Sequence, residues 1–413
     1  MIRSPQGKDR AGKLALVLMS VISCLAAGEL LMRWLHPAAV APDTTTRTEK
    51  AQLYGWAPEP GQRLTHVDPE TGKTESSNTN SQGWRDVEHA FEKPRGRIRI
   101  VFLGDSFTYG TVPVSALYTR RVEAKLRERG QRDVEVISMG VGGWGPDQEL
   151  EALKNEGLRY APDLVVLQYC SNDLINLDPP PAVRGDMSLG LHKPFRYFLD
   201  DGKLVRIDRQ SVETARSAGR LVSIHRPLRR SALFRTLTTL FQGPDDPPAV
   251  PDPRTDRITA SNVVARFGIE EAEKPWQQVA WRLLEALLRE MQSVSTTRGA
   301  GFLVCSETGE EGLRAHLLES RRLATEAGRD FVEVSGEKVR VDLQLPIRRL
   351  AEICERHGIP LIEPKRSYPR YRTDWHMNRI GNENMADDIV DFLESWPVYR
   401  ELAARARPLP PRT

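Results

Sequence analysis

The chain has little cysteine, no excess of charge of one sign and no internal repeat, and each shortage removes a class of protein. Four cysteines in 413 residues (Cys24, Cys170, Cys305 and Cys354) are too few and too scattered for a disulfide framework or a zinc motif. Cys305 and Cys354 fall in a predicted strand and a predicted helix, where cysteine acts as a small core residue. A net charge of +3 with 28% charged residues is near balance, so despite local arginine-rich stretches no nucleic-acid partner is expected. Without a repeat, the chain does not read as a repeat array. Its length holds one large domain or two smaller ones, with ample sequence for a buried core.

A long membrane span is also missing, although the N-terminus is not neutral in meaning. Arg3, Lys8, Arg10 and Lys13 precede an uncharged apolar run from Leu14 to Gly28, followed by Glu29, further apolar residues and Arg33. A basic flank before an apolar core is the pattern of an export segment, and the positive-inside bias leaves the rest outside the cytoplasm. The run is short for a span. Residues 1–36 are read as an uncleaved anchor in a bacterial inner membrane, N-terminus inside. The alternatives are a cleaved signal peptide, for which no convincing small-x-small site follows, and a lipoprotein beginning at Cys24. Val21-Ile-Ser-Cys24 resembles a lipobox, but apolar sequence continues past it.

Residues 37–60, rich in Pro, Thr and Ala, read as a tether, and a Gly/Pro/Asn/Ser-rich stretch over 53–86 is expected to wrap the core, so 37–96 precede the main domain. From Arg97 the pattern is β-α-β-α-β: strand Ile98–Leu103, helix Tyr118–Arg129, strand Val134–Ser138, helix Gln148–Glu156, strand Leu164–Gln168. Such alternation implies a parallel sheet covered on both faces. After Asp173 it breaks. Residues 178–260 hold Pro-rich loops, a predicted hairpin near Phe195–Ile207 turning at Asp201-Gly202, and a basic stretch at His225–Arg235. Their thin apolar content predicts an insertion or cap, not a second domain. The alternation resumes with helix Trp276–Thr296, strand Gly301–Cys305, helix Leu345–Arg356, strand Pro360–Ile362 and a last helix near Gly381–Trp396. The main domain is thus expected over 97–396, with a tail over 397–413.

The chemistry is concentrated at predicted strand ends. Ile98-Arg-Ile-Val-Phe-Leu-Gly-Asp-Ser-Phe-Thr-Tyr-Gly110 is a buried-strand run that stops at a serine flanked by an acid. Ser106 stands where a nucleophile is placed in an open α/β sheet, or it merely caps the following helix. The strand ending at Ser138 runs into Met139-Gly-Val-Gly-Gly-Trp-Gly145, and the one ending at Gln168 into Tyr169-Cys-Ser-Asn-Asp173. Thr373-Asp-Trp-His-Met-Asn378 opens the final helix. Singly, each has a plain reading: Asn172 a turn residue, His376 a satisfied histidine, Asp374 a helix cap. Gly140-x-Gly142-x-x-Gly145 fits the dinucleotide fingerprint, but Pro146 follows it and no acid ends the next strand at the required distance. Jointly the pieces supply what a serine esterase needs: nucleophile, histidine, orienting carboxylate and oxyanion donors.

Together these segments resemble the SGNH (GDSL) hydrolase family, in its membrane-anchored bacterial form. Gly104-Asp-Ser-Phe-Thr-Tyr-Gly110 is similar to the family's first block, Gly-Val-Gly-Gly-Trp-Gly145 to the second, Ser171-Asn-Asp173 to the third and Asp374-x-His376 to the last. The resemblance implies Ser106 as nucleophile, His376 as proton acceptor, Asp374 as the orienting acid, and an oxyanion hole of the Ser106 N–H, Gly143 and Asn172. Two departures stand out. The acid is two residues before the histidine where the family usually has three, and Ser138 stands where many members have asparagine. Asn80-Ser-Gln-Gly-Trp-Arg-Asp86 resembles a segment preceding the first block in anchored members, with Trp84 expected to pack over the sheet. Tyr109, Trp144 and Trp375 are expected to wall the site or to stack on sugar rings.

The expectation is a flavodoxin-like, three-layer α/β/α parallel sheet of the SGNH hydrolase type with a cap-like insertion. It is expected to act outside the cytoplasm as an esterase on small acyl esters or acetylated glycans, with no metal or organic cofactor. A polysaccharide O-acetyltransferase using the same triad and a non-catalytic glycan-binding or scaffolding protein are the alternatives.

Overall fold

The structure, a computed structural model, describes residues 19–20, 49–68, 71–177, 193–208, 269, 275–319, 323–334, 337–372 and 374–406. The elements below belong to one unit, Thr48–Arg209 with Arg254–Thr413. A second, Met1–Arg47 with Gln210–Pro253, lies outside the described residues apart from Met19 and Ser20. So do the expected anchor and most of the 178–260 stretch. Among the described residues no helix is long and apolar enough to cross a membrane.

Along the chain, α1 (Glu49–Tyr54) and the hairpin of β1 (Arg63–Val67) and β2 (Thr74–Asn78) lead into β3 (Ile98–Gly104) and α2 (Ser106–Tyr109). Then come α3 (Tyr118–Glu128), β4 (Val134–Gly140), α4 (Pro146–Asn155), β5 (Leu164–Tyr169) and α5 (Asp173–Asn176). A hairpin of β6 (Phe195–Asp200) and β7 (Lys203–Asp208) precedes α6 (Pro275–Thr297), β8 (Gly301–Ser306) and α7 (Glu310–Glu319). The chain ends with β9 (Leu323–Glu326), β10 (Arg329–Val334), β11 (Glu337–Val341), α8 (Leu345–His357), β12 (Leu361–Ile362), α9 (Arg379–Ser395) and α10 (Pro397–Ala406).

Five strands form one parallel sheet in the order β4-β3-β5-β8-β12. This is the doubly wound flavodoxin-like order, in which the direction of winding switches between β3 and β5. Every residue of β3 is buried, because helices cover both faces of the sheet. Alternate side chains feed two cores. Val101, Leu103, Ile137, Met139, Val165 and Leu167 face α4 and α6, meeting Leu150, Leu153, Leu284 and Leu287. Ile100, Phe102, Val134, Val136 and Val166 face α3 and α9, meeting Val122, Leu126, Met385 and Ile389. Truncating one of these leucines to alanine would cost about 2–5 kcal/mol. The α/β/α sandwich expected from the strand–helix alternation is therefore present, and it sets the ends of β3, β4 and β5 side by side, with Gly104 opposite Gly140 and Leu103 opposite Leu167.

Several features are not legible in the pattern. The antiparallel sheet β11-β10-β9 and α7 lack a strong apolar period. Residues 397–406, assigned to a tail, form α10 and bury Tyr399 and Ala403 against the second core. Leu402 and Ala406 pack on the same core, so the stripe follows helical spacing, but it is short and flanked by Arg400, Glu401 and Arg405. The hairpin β6–β7 does turn at Asp201 (φ 47°) and Gly202 (φ 74°), the left-handed pair a two-residue turn requires. Its Phe195 and Tyr197 are buried in the first core. Cys170, Cys305 and Cys354 are free and buried, and burial pushes the Cys354 thiol up to about 12.

Candidate active site

At the end of β3 the chain turns directly into α2. Asp105 caps that helix, its carboxylate accepting the Phe107 N–H at 2.9 Å and hydrogen-bonding the Asn172 side chain. Burial raises the Asp105 carboxyl above its ordinary range, aided by the Glu307 carboxylate and opposed by the Phe107 N–H, His376 and Asn172. Ser106, half-buried, has its Oγ 3.5 Å from Asp105 Oδ2. Glycine is needed where this turn crosses the sheet. A Cβ on Gly104 would stand 2.2 Å from Thr108 Oγ1, and one on Gly140 only 2.4 Å from the Tyr109 N. Gly140 thus admits the serine turn, while Gly145 is kept small by Asn176, whose Cβ would lie 2.9 Å from a Cβ there.

The glycine loop after β4 runs alongside the serine, with a Cβ on Gly142 lying 3.9 Å from Ser106 Cβ. Gly143 adopts φ 75°, a left-handed conformation that favours glycine. Trp56 clamps the loop from outside, donating from Nε1 to Gly142 O at 2.9 Å while its own carbonyl accepts from Trp144 Nε1 at 3.0 Å. Trp144 is fully buried, so it supports the loop and offers no face to a sugar. Asn172, 4% exposed, follows β5 and meets Asp105 across the switch point. Ser106, the Gly142–Gly143 turn and Asn172 are therefore brought together. At Ser138, where the family usually has asparagine, the backbone N–H donates to Asp86 Oδ2 at 2.7 Å.

The histidine comes from a separate loop. His376 Nδ1 lies 2.5 Å from Asp374 Oδ1, and the same oxygen accepts the His376 backbone N–H at 3.0 Å. The two-residue spacing is what permits this double use, because an Asx turn places the carboxylate beside the ring of the second residue on. Burial raises the Asp374 carboxyl, but its interactions with the His376 ring and backbone N–H outweigh that and hold it below its ordinary value. The imidazole packs on Phe107, the residue after Ser106, with ring centroids 5.1 Å apart. Among the described residues no hydrogen bond joins Ser106 to His376; Oγ is paired with Asp105.

Sequence reasoning missed the group that joins these halves. The Arg370 guanidinium lies 5.0 Å from the Phe107 ring and 3.7 Å from the Trp375 ring. It donates to Trp375 O at 2.9 Å and pairs with Glu307 at 2.6 Å. One cation thus touches the neighbour of Ser106 and the neighbour of His376. Glu307 sits just past β8, a strand-end position that could have flagged it; nothing in the sequence marks Arg370. A cleft of about 430 Å³ opens beside them, between Gly309 and Pro364–Arg370.

Behind the serine lie three fully buried carboxyls, Asp105, Glu149 and Asp173. Burial, and then the Asp105 and Asp147 carboxylates, hold Glu149 well above its ordinary range, and neither of its oxygens has a hydrogen-bond partner. Burial, Glu149 and Asp105 raise Asp173 likewise. Among the described residues no group of three or more His, Cys, Asp or Glu is arranged to hold a metal ion.

A doubly wound sheet whose winding switches beside a capped serine, with a paired histidine and acid on a neighbouring loop, holds the residue types that a serine hydrolase on an open α/β sheet requires. Residues 102–290 match the model of the GDSL-like lipase/acylhydrolase family. No curated protein matches the chain. Among solved structures, the lipase/acylhydrolase from Enterococcus faecalis is 15% identical, with 76% of this chain and 99% of that one covered at a TM-score of 0.33. The acetyl xylan esterase AlAXEase is 14% identical, with 71% and 99% covered at 0.32. A two-domain esterase active on acetylated mannans is 12% identical, with 76% and 52% covered at 0.32.

Proposed function

We propose that the chain is a serine esterase that removes acyl groups, chiefly acetyl from carbohydrate, and that an N-terminal anchor holds it outside the cytoplasm. The observation that carries the catalytic part is the His376 Nδ1–Asp374 Oδ1 contact of 2.5 Å, made by an imidazole that packs on the residue next to Ser106. Asp374 fixes the tautomer with the proton on Nδ1 and leaves Nε2 to accept the serine proton. Ser106 Oγ attacks the ester carbonyl carbon as His376 takes its proton. The carbonyl oxygen becomes an oxyanion held by the Ser106 N–H, the Gly143 N–H and the Asn172 side chain. Collapse expels the alcohol, which receives the proton from His376, and water then cleaves the acyl-serine by the same steps in reverse order. The Ser106–His376 bond forms with substrate, as catalytic hydrogen bonds in ligand-free sites are often long and tighten in the complex. The acetyl-carbohydrate part rests on the resemblance of the sequence blocks to anchored family members.

The test is intact-mass detection of a fluorophosphonate adduct on the full-length chain in detergent, beside Ser106→Ala. The expected result is one adduct on the wild type, none on the variant, and release of acetate from acetylated oligosaccharides by the wild type alone. A folded wild-type chain that takes no adduct would sink the proposal.

A further inference from the structure

The segment Asn80–Asp86 lies outside the blocks that bear the site, yet its side chains reach two of the three pieces around Ser106. It is a closed turn. Asn80 Oδ1 accepts the Gln82 and Trp84 N–H groups at 3.1 and 2.8 Å, and Nδ2 donates to Val87 O at 3.0 Å. Gly83 sits at φ +84°, where a Cβ would meet Pro58 O at 2.7 Å. The turn therefore has a fixed shape, and its last three side chains leave it in three directions.

Trp84, fully buried, meets Trp144 of the glycine loop edge-on at 5.9 Å. Arg85, 5% exposed, donates to the carbonyls of Tyr109, Gly110 and Val112 at 2.6, 3.3 and 2.5 Å. Those carbonyls are the last of α2 and the chain leaving it. Among the described residues no carboxylate pairs with this guanidinium, so its burial is offset by these carbonyls and by the Tyr109 ring, 5.3 Å away. Asp86 accepts the Ser138 N–H of β4, two residues before the strand ends, at 2.7 Å. Arg120 and His89 fix Asp86 in turn, at 3.0 and 3.1 Å.

Resting on the esterase reading above, we propose that this turn sets the oxyanion donors, with Arg85 and Asp86 as positioning residues. The Ser106 and Gly143 N–H groups must aim at one oxygen, yet they hang from different strands. Arg85 holds the serine turn from its far end, while Trp84 and Asp86 hold the strand and loop that carry Gly143. Because the three are consecutive on one rigid turn, both donors share one reference frame. A guanidinium can span carbonyls that a single ammonium cannot, so Arg85→Lys removes the frame while keeping the charge.

The experiment compares wild type, Arg85→Lys and Asp86→Asn for kcat and KM on an activated acetyl ester, for the rate of serine phosphonylation, and for unfolding temperature. Positioning predicts that Arg85→Lys loses about 10- to 100-fold in both kcat and phosphonylation rate, with KM within about 2-fold, since small misplacements cost this much. Asp86→Asn, which keeps an acceptor near Ser138, loses less and keeps the same pattern of kcat over KM. A purely structural role would lower unfolding temperature and leave kcat intact below it, and that outcome overturns the inference. If Arg85→Lys does not fold, Asp86→Asn decides alone. An inactive, unlabelled wild type refutes the esterase reading and this inference with it; an active wild type with unaltered variants refutes the inference only.

Discussion

The two halves of the site are built differently. On the proposed oxyanion side, Ser106, the glycine loop and Asn172 sit on the ends of central strands, and Asp105, Arg85, Asp86 and Asn172 around them are each at most 5% exposed. On the histidine side, His376 and Asp374 have side chains 22% and 31% exposed and belong to a loop. That loop is anchored where Asn378 caps α9, accepting the Ile380 and Gly381 N–H groups at 3.0 Å each, and where Arg370 ties it to Glu307. The oxyanion frame inherits the rigidity of the sheet. The base inherits only that of its own turn and one buried arginine, so local changes should act on it more steeply and with less loss of stability.

Three substitutions break or sharpen this contrast. The largest effect is expected for Asp374→Asn, which keeps the shape of the turn but favours the wrong tautomer of His376. Turnover should fall about 10³- to 10⁴-fold with unfolding temperature nearly unchanged, read from steady-state kinetics beside thermal melts. A loss under 10-fold would mean that another group orients the ring. Next comes Asn172→Ala. It removes one oxyanion donor and also leaves the buried Asp105 carboxyl short of a partner, so kcat should drop about 10²- to 10³-fold and the melt should shift downward as well. Loss of activity with an unchanged melt would contradict the buried, braced character assigned to that side.

The smallest effect on catalysis, and the most distinctive on stability, belongs to Glu149→Gln. Burial raises this carboxyl well above its ordinary value in the folded chain, so it keeps its proton to higher pH there. The unfolded chain releases that proton above an ordinary glutamate pKa of about 4.3. Stability from this group is thus full below that pH and falls as pH rises toward the higher folded value. Glutamine keeps the shape without the titration. The variant should match the wild type near pH 4, exceed it increasingly as pH rises from there toward the folded value, and still retain some slope from Asp105 and Asp173. Urea midpoints measured across that range would decide it, and parallel profiles for the two proteins would count against a protonated Glu149.

Much of this was open to reading. The β-branched runs at 98–103 and 164–168 predict buried parallel strands because only a sheet covered on both faces tolerates such continuous apolarity. The glycines, Ser106 and Asn172 follow those runs at once, so local order alone places them at strand ends. Arg370 was hidden because its meaning lies in what it touches: two rings and a carboxylate far apart in sequence. The contact of Asp374 with His376 was hidden because it depends on an Asx turn, in which one oxygen meets both the backbone N–H and the ring.

By itself, then, the sequence determined the strands of the central sheet, their alternation with helices and the residue types at the strand ends, since periodicity and turn chemistry act over a few neighbours. Only the tertiary structure decided the winding order, the meeting of the Asn80–Asp86 turn with the serine turn and β4, and the bridging of the two halves by Arg370. Those depend on buried polar groups finding partners across the fold, and a buried guanidinium is satisfied by whichever carbonyls and carboxylates the packed chain brings to it.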